Sequence, residues 1–311
     1  MAQTPLYDMI VVGGGPGGYT AALYAARAGL DVLVLEKLSA GGQMALTETI
    51  ENYPGFPEGI DGFTLGQTIQ QQAERFGARS EYAEVEAVDL TANPKVLHTS
   101  AGTFTARTVV LATGADPRPL GLPDEAALTG RGVAYCAACD GMLYKDKTVV
   151  VVGGGNSAAE DALLLTRIAR KVILVHRRDT LRATRIYHAP LRQAENLEFR
   201  WNSAVTELLH GDKLTGVRLR DLVTGKETDL PCDGVFISVG RKPATDLVDG
   251  QLDRDAAGYL VADETTRTNL PGVYAVGDVR TKPLRQVVTA VADGAVAVHE
   301  AEQYLAGGER S

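Results

Sequence analysis

Cysteine is scarce in this sequence: three among 311 residues, too few for a disulfide framework. Long apolar runs are missing as well, since no stretch approaches the roughly 18 residues of a membrane span, and Met1–Asp8 lacks a cationic segment leading into an apolar one. These absences argue against secreted and membrane-embedded classes and lead to the expectation of a cytoplasmic protein without a membrane partner. Positive charge is also in short supply, with 31 Lys and Arg against 39 Asp and Glu, a formal net charge of -8. An acidic protein is not drawn to nucleic acid or anionic bilayers, so any basic feature must act locally. The five histidines show no cage-like spacing, and no metal site is expected.

What is abundant is glycine, 34 residues, enough to expect several close backbone approaches. Apolar residues make up 45% and charged residues 23%, which suits a folded chain rather than a disordered one, and the length suits two domains.

One pattern occurs twice. Met9-Ile10-Val11-Val12 reads as a buried strand running into Gly13-Gly14-Gly15-Pro16-Gly17-Gly18, a Gly-x-Gly-x-x-Gly turn that opens a helix over Tyr19–Ala28. Val149-Val150-Val151-Val152 leads likewise into Gly153-Gly154-Gly155-Asn156-Ser157-Ala158 and a helix over Ala159–Arg170. The repeat distance of about 140 residues is far too long for a solenoid. Second strands follow at Val32–Leu35 and Val172–Val175, and the copies stay in register: Glu36 lies 23 positions after Gly13, and His176 lies 23 after Gly153. Each copy closes on an apolar strand halted by glycine, Thr108 to Gly114 and Gly234 to Gly240, after β-rich stretches (Glu81–Leu90, Leu214–Leu230) that read as small antiparallel meanders. The expected fold is α/β: two Rossmann-like dinucleotide-binding domains, each a parallel sheet with helices plus a small meander. Pro/Gly-rich crossings after each closing strand place the second unit, 118–244, as an insertion within a discontinuous domain of 1–117 and 245–311. The latter is completed by a strand before Gly277-Asp278 and a helix over Gln286–Leu305.

The position shared by Glu36 and His176 separates the two sites. A carboxylate there accepts hydrogen bonds from a ribose diol and repels a 2′-phosphate, which suits FAD or NAD. In the second copy the carboxylate is replaced by His176, with Arg177, Arg178 and Arg182 beside it. Read blandly this is a solvated basic strand end; at the discriminating position of a nucleotide fold it suits the 2′-phosphate of NADPH. One flavin and one nicotinamide nucleotide is the resulting expectation. Asp278, at a strand end, could bond a ribityl chain or cap the following segment.

Cys136-Ala137-Ala138-Cys139-Asp140-Gly141 precedes the first strand of the insert, read as Lys147–Val152. Cys-x-x-Cys spacing permits thiol–disulfide exchange, whereas a metal cage would need ligands for which the sequence shows no further motif; an inert thiol pair is the remaining alternative. Cys232 reads as an ordinary packed or surface thiol.

Taken jointly and in order, Gly13–Gly18, Gly41-Gly42-Gln43, Glu51-Asn52-Tyr53-Pro54-Gly55, Ala112-Thr113-Gly114, Cys136–Gly141, Gly153–Glu160, His176–Ala183 and Gly277-Asp278 with Arg285-Gln286 resemble the low-molecular-weight thioredoxin reductases, class II pyridine nucleotide-disulfide oxidoreductases, over essentially the whole chain. The resemblance implies that Gln43, Asn52, Asp278, Arg285 and Gln286 contact FAD and that Arg177, Arg178 and Arg182 hold the 2′-phosphate of NADPH. It extends the cofactor-binding set to Gly13, Gly15, Pro16, Gly17, Gly18, Glu36, Lys37, Gly42, Val85, Thr113, Gly114, Gly277 and Val287, and to Gly153, Gly155, Asn156, Ser157, His176 and Gly240. It further implies that Cys139 is the flavin-facing thiol, that Cys136 attacks the disulfide of thioredoxin, and that Asp140 handles the departing proton, although Asp140 also reads as a helix cap. Tyr53 where some relatives carry Trp, and Ala137-Ala138 at the centre of the motif, remove no functional group. Since the cysteines and the NADPH site share the insert while the flavin belongs to the flanking domain, the insert is expected to rotate on its linkers between half-reactions.

Alternatives are the flavoprotein subunit of a peroxide-reducing system, which should carry an extra N-terminal thioredoxin-like domain not seen before Met9, and a non-catalytic flavin redox sensor. The family is usually homodimeric, and Val287–Val298 could serve as interface or as core.

Overall fold

In the computed structural model the described residues are 5–47 and 49–307. The continuous apolar runs become strands covered on both faces: Ile10, Val11, Leu33 and Val34 lie in strands Leu6–Val12 and Val32–Glu36, which pair in parallel and are all but closed to solvent. Strand order in this sheet is Arg79–Tyr82, Val32–Glu36, Leu6–Val12, Gly102–Leu111, Lys95–Thr99, Val85–Asp89, with Val273–Ala275 also paired to Gly102–Leu111. The ten-residue strand Gly102–Leu111 belongs to two neighbourhoods. Its first half pairs antiparallel with Lys95–Thr99, and its second half pairs in parallel with Leu6–Val12 and Val273–Ala275. The meander of this copy is therefore an extension of the main sheet rather than a separate layer.

The second sheet runs Leu197–Arg200, Lys171–Val175, Thr148–Gly153, Gly234–Ser238, Val133–Ala134, parallel throughout. Its meander is a separate three-stranded antiparallel sheet, Ser203–His210, Leu214–Asp221 and Glu227–Pro231. Tyr144 packs edge-on against Phe236 on one face of the parallel sheet, and Cys232 is buried in the core cluster on its other face, which the meander covers.

Contacts divide the chain into two units. One comprises the described part of Met1–Glu48, Tyr53–Asp116 and the described part of Lys242–Ser311; the other comprises Thr49–Asn52 and Pro117–Arg241. The crossing segments Ala115–Pro117 and Arg241–Pro243 are themselves strands, paired in a two-stranded sheet. The Arg118 amide donates to Gly240 O at 2.9 Å and the Ala244 amide to Gly114 O at 3.0 Å. Among the described residues no helix is long and apolar enough to cross a membrane.

Candidate functional site: two nucleotide cradles and a disulfide

In the first unit strand Leu6–Val12 ends in Gly13, whose φ of 103° needs glycine, and helix Pro16–Arg27 starts with Gly15 as an N-cap that supplies no side-chain hydrogen bond. Proline at the first helical position sets the entry. The turn is closed inside and open outside. A Cβ on Gly13 would stand 2.5 Å from Ala112 O and one on Gly18 2.0 Å from Gly13 O, whereas one on Gly15 would meet nothing within 4 Å. A 12-residue helix with an uncapped, accessible N-terminus beneath a glycine turn fits a pyrophosphate. Glu36 closes the cradle: one carboxylate oxygen accepts from the Gly14 amide at 2.5 Å and the other from the Leu38 amide at 3.0 Å. Gly42 lies close over the turn, 3.5 Å from its would-be Cβ to Gly15 Cα, and Gln43 Nε2 donates to Asp116 at 2.8 Å.

Helix Val287–Leu305 abuts the same cradle, since a Cβ on Gly17 would be 3.0 Å from Ala290 O. Gln286 caps it through a reciprocal bond pair with Thr289, the device that places Gln286 and Val287 at its head. Gly277 (φ 72°) and Asp278 form a short turn before it, and Arg285 donates to Asp278 O while stacking 3.8 Å over the Tyr259 ring. Asp278 is not a helix cap. Behind this turn is a charged cluster that sequence reading missed. Asp293 accepts from the Gly277 amide at 2.8 Å, from Arg280 at 3.0 Å and from Lys282 at 2.6 Å.

Other expected contacts are more dispersed. Thr113 donates to Ala244 O at 2.7 Å, next to Gly114 (φ 74°). Lys37 pairs with Glu84 on the surface, and Val85 opens a half-buried strand position. Asn52 groups with the second unit, where its amide donates to Ala138 O at 3.5 Å, inside the cysteine motif.

The second cradle repeats the first. Gly153 would press a Cβ to 2.4 Å from Ser238 O, Gly155 has open space, and the 11-residue helix Asn156–Thr166, with Ser157 exposed in its first turn, is again uncapped at Gly155. Where Glu36 stood, His176 lies under Gly154, whose Cβ would be 2.1 Å from the imidazole. His176 is buried, its Nε2 has no partner among the described residues, and burial together with Arg182, Arg177 and Arg178 holds its pKa below the usual histidine range. The chain beyond folds back over the turn: the Arg182 and Ala183 amides donate to Gly154 O, and Asn156 Oδ1 accepts from the Thr184 amide at 2.8 Å. Arg177, Arg178 and Arg182 are exposed, and among the described residues no ion pair engages them. An uncapped helix, an open glycine and three unneutralised guanidinium groups fit a phosphorylated dinucleotide.

Cys136 and Cys139 form a disulfide with Cα atoms 5.3 Å apart. Cys136 caps the one-turn helix Ala137–Asp140, directly after strand Val133–Ala134, and both cysteines are half-buried. Asp140 precedes the turn Gly141–Tyr144 and makes no capping bond there, so the cap reading of its side chain fails. Met142 and Leu143 lie exposed beside the motif, at 49% and 45%. Cys232 is buried, and burial pushes its thiol up to about 12. Among the described residues no His, Cys, Asp and Glu cluster could hold a metal.

The pyridine nucleotide-disulphide oxidoreductase family profile matches residues 7–294. The chain belongs to that family. A thioredoxin reductase of Streptomyces clavuligerus is 49% identical over 302 residues, covering 96% of this chain and 94% of the relative. A bifunctional thioredoxin reductase/thioredoxin of Mycobacterium leprae is 45% identical, covering 98% of this chain and 67% of its own length. Among solved structures, the thioredoxin reductase of Streptococcus pyogenes matches with a TM-score of 0.90 at 42% identity, covering 98% of this chain and all of that one. Use of a flavin and a nicotinamide nucleotide goes with the pyridine nucleotide-disulphide oxidoreductases in general.

Proposed function

We propose that this chain is an NADPH-dependent thioredoxin reductase that passes electrons through FAD to the Cys136–Cys139 pair and on to oxidised thioredoxin. The observation that carries this reading is the Cys-x-x-Cys disulfide in the unit whose dinucleotide cradle has three exposed arginines in place of a carboxylate. Gly13–Gly18, Glu36, Gly42, Gln43, Asp278, Arg285 and Gln286 would hold FAD, whose chemistry when bound is to relay an electron pair from nicotinamide to disulfide. Gly153, Gly155, Asn156, Ser157, His176 and the three arginines would hold NADPH. The reduced pair then works by exchange: the Cys136 thiolate attacks a thioredoxin sulfur, Cys139 resolves the mixed disulfide, and Asp140 carries the proton. Exposed Met142 and Leu143, shortly after the cysteine motif in the chain, supply apolar surface for that partner. The unit carrying the disulfide turns on the crossings Ala115–Pro117 and Arg241–Pro243, so that the cysteines and the nicotinamide reach the flavin in turn. Fusion of both activities in the Mycobacterium leprae relative supports thioredoxin as partner, and a cytoplasmic homodimer belongs to the same reading.

Steady-state thioredoxin reduction with NADPH and NADH tests this. Arg177→Ala and Arg178→Ala should each raise KM for NADPH about 10- to 100-fold, the loss of about 1.4–3 kcal/mol of charge-assisted bonding, while leaving NADH turnover nearly unchanged. Equal loss with both nucleotides, or no thioredoxin reduction by the wild-type chain loaded with FAD, would overturn the reading.

A further inference from the structure

The helix of the second cradle carries a carboxylate that none of the roles above uses. Asp161 lies on Asn156–Thr166, and one oxygen accepts from the Ala137 amide at 3.3 Å, one peptide beyond Cys136. The other oxygen accepts from Ser238 Oγ, at the end of the strand that closes the cradle and opposite Gly153 in the ladder. A single side chain thus ties the cysteine turn to the nucleotide cradle within one unit. An exposed aspartate on a helix would prefer water; this one is drawn inward to two protein donors.

We propose that Asp161 is a positioning residue for the Cys136–Cys139 pair and that its half-buried negative charge keeps the pair strongly reducing. The inference rests on the redox reading of these cysteines. Two-electron reduction breaks the Sγ–Sγ bond and, with one proton taken up, leaves one thiol and one thiolate. A thiolate on Cys136 forms one peptide from a carboxylate that already occupies the Ala137 amide. Like charge disfavours that thiolate, and the amide that would have stabilised it is engaged elsewhere. Disfavouring the reduced form lowers the potential, the direction a donor to another disulfide needs. The two groups titrate as a coupled pair. Burial raises the Asp161 carboxyl above its usual range, opposed by the Ser238 and Ala137 bonds. The charged groups around it are Glu160 on its own helix, Arg241 on the crossing strand, and Asp140 on the short helix that packs against it.

The test uses the full chain with FAD bound, equilibrated in reduced and oxidised dithiothreitol, a dithiol that supplies both electrons, one proton to the protein and one to solvent. Alkylation followed by mass spectrometry reads the state of Cys136 and Cys139, and the pH profile of Cys136 alkylation reads its thiolate. Asp161→Asn keeps an acceptor for Ala137 and a partner for Ser238 but removes the charge. It should lower the midpoint of the alkylation profile by about one pH unit and shift the equilibrium about tenfold toward the dithiol, ~30 mV. Ser238→Ala, which weakens the hold on the ionised carboxylate, should shift both readings in the same direction by less. If Asp161→Asn and Ser238→Ala both titrate as wild type, the proposal fails, even if Asp161→Ala disturbs the site. Failure of the wild-type pair to reduce thioredoxin would instead strike the parent reading, because the dithiothreitol titration involves no thioredoxin.

Discussion

Removing the Asp293 carboxylate should be among the most damaging single changes in the first unit. Asp293 accepts three bonds, from the Gly277 amide, Arg280 and Lys282, and the side-chain exposures are 12% for the aspartate, 8% for Arg280 and 6% for Lys282. Those exposures decide the magnitude. A solvent-exposed pair such as Lys37–Glu84, at 58% and 51%, contributes about 0–1 kcal/mol, whereas taking one partner from a buried pair leaves an uncompensated charge and costs about 3–5 kcal/mol. Arg280 is partly compensated by carbonyl oxygens of Ala262 and Asp263, but among the described residues its Nε is already without a partner, and Lys282 would retain only Thr289 O. For Asp293→Ala the expectation is therefore about 3–5 kcal/mol, with Asp293→Asn milder because it still accepts from Gly277. Urea unfolding at fixed FAD concentration measures the loss, and absorbance at the flavin band measures cofactor retained. The Gly277-Asp278 turn loses its anchor in Asp293→Ala, so both readings should fall together. A loss below 1 kcal/mol would show that the cluster is solvated in practice and would refute the burial argument; Glu84→Ala, which breaks the exposed Lys37–Glu84 pair, is the control and should stay within that limit.

Two further outcomes follow from burial of titratable groups. His176 has a folded pKa below its ordinary value of about 6.5, so the unfolded chain binds the proton more readily; the contribution is full above that value and is lost as pH falls through the lowered folded pKa. Urea midpoints measured from pH 7.5 down to 5 should decline less steeply in His176→Asn than in wild type, and parallel curves would contradict the assignment. Cys232, with its thiol pushed up to about 12, should resist iodoacetamide at pH 8 in the native chain and react only after denaturation, while reduced Cys136 labels readily; peptide mass spectrometry distinguishes the three cysteines, and native labelling of Cys232 would count against its burial.

The cradles were legible because glycine spacing, flanking strands and the residue at Glu36 or His176 are local features, each set by backbone geometry over some 25 residues. Strand Val133–Ala134 was not, because two residues carry no period and the strand exists only through its pairing with Val235 and Phe236. Helix Gly62–Arg75, capped by Asp61, escaped for a different reason: glycine and glutamine make up six of its 14 residues, and it buries only a narrow stripe at Gly62, Leu65, Gly66, Ile69 and Ala73. Asp161 and Asp293 look in sequence like ordinary solvated helix positions. What draws them inward is Ser238, 77 residues away from the one, and the turn at Gly277 facing the other. The reach of Asn52 to Ala138, across 86 residues, is equally invisible in a linear reading.

The contrast between Glu36 and His176 has a consequence for how long each guest stays. Glu36 stitches its loop together through the Gly14 and Leu38 amides, so the first pocket keeps its shape before anything enters it. His176 lies beneath Gly154, its Nε2 without a partner among the described residues, and Arg177, Arg178 and Arg182 near it are exposed. A pre-shaped berth closed by a carboxylate suits a prosthetic group retained through many cycles, and one whose grip comes from exposed cations, and is therefore salt-sensitive, suits a coenzyme that must leave after each delivery.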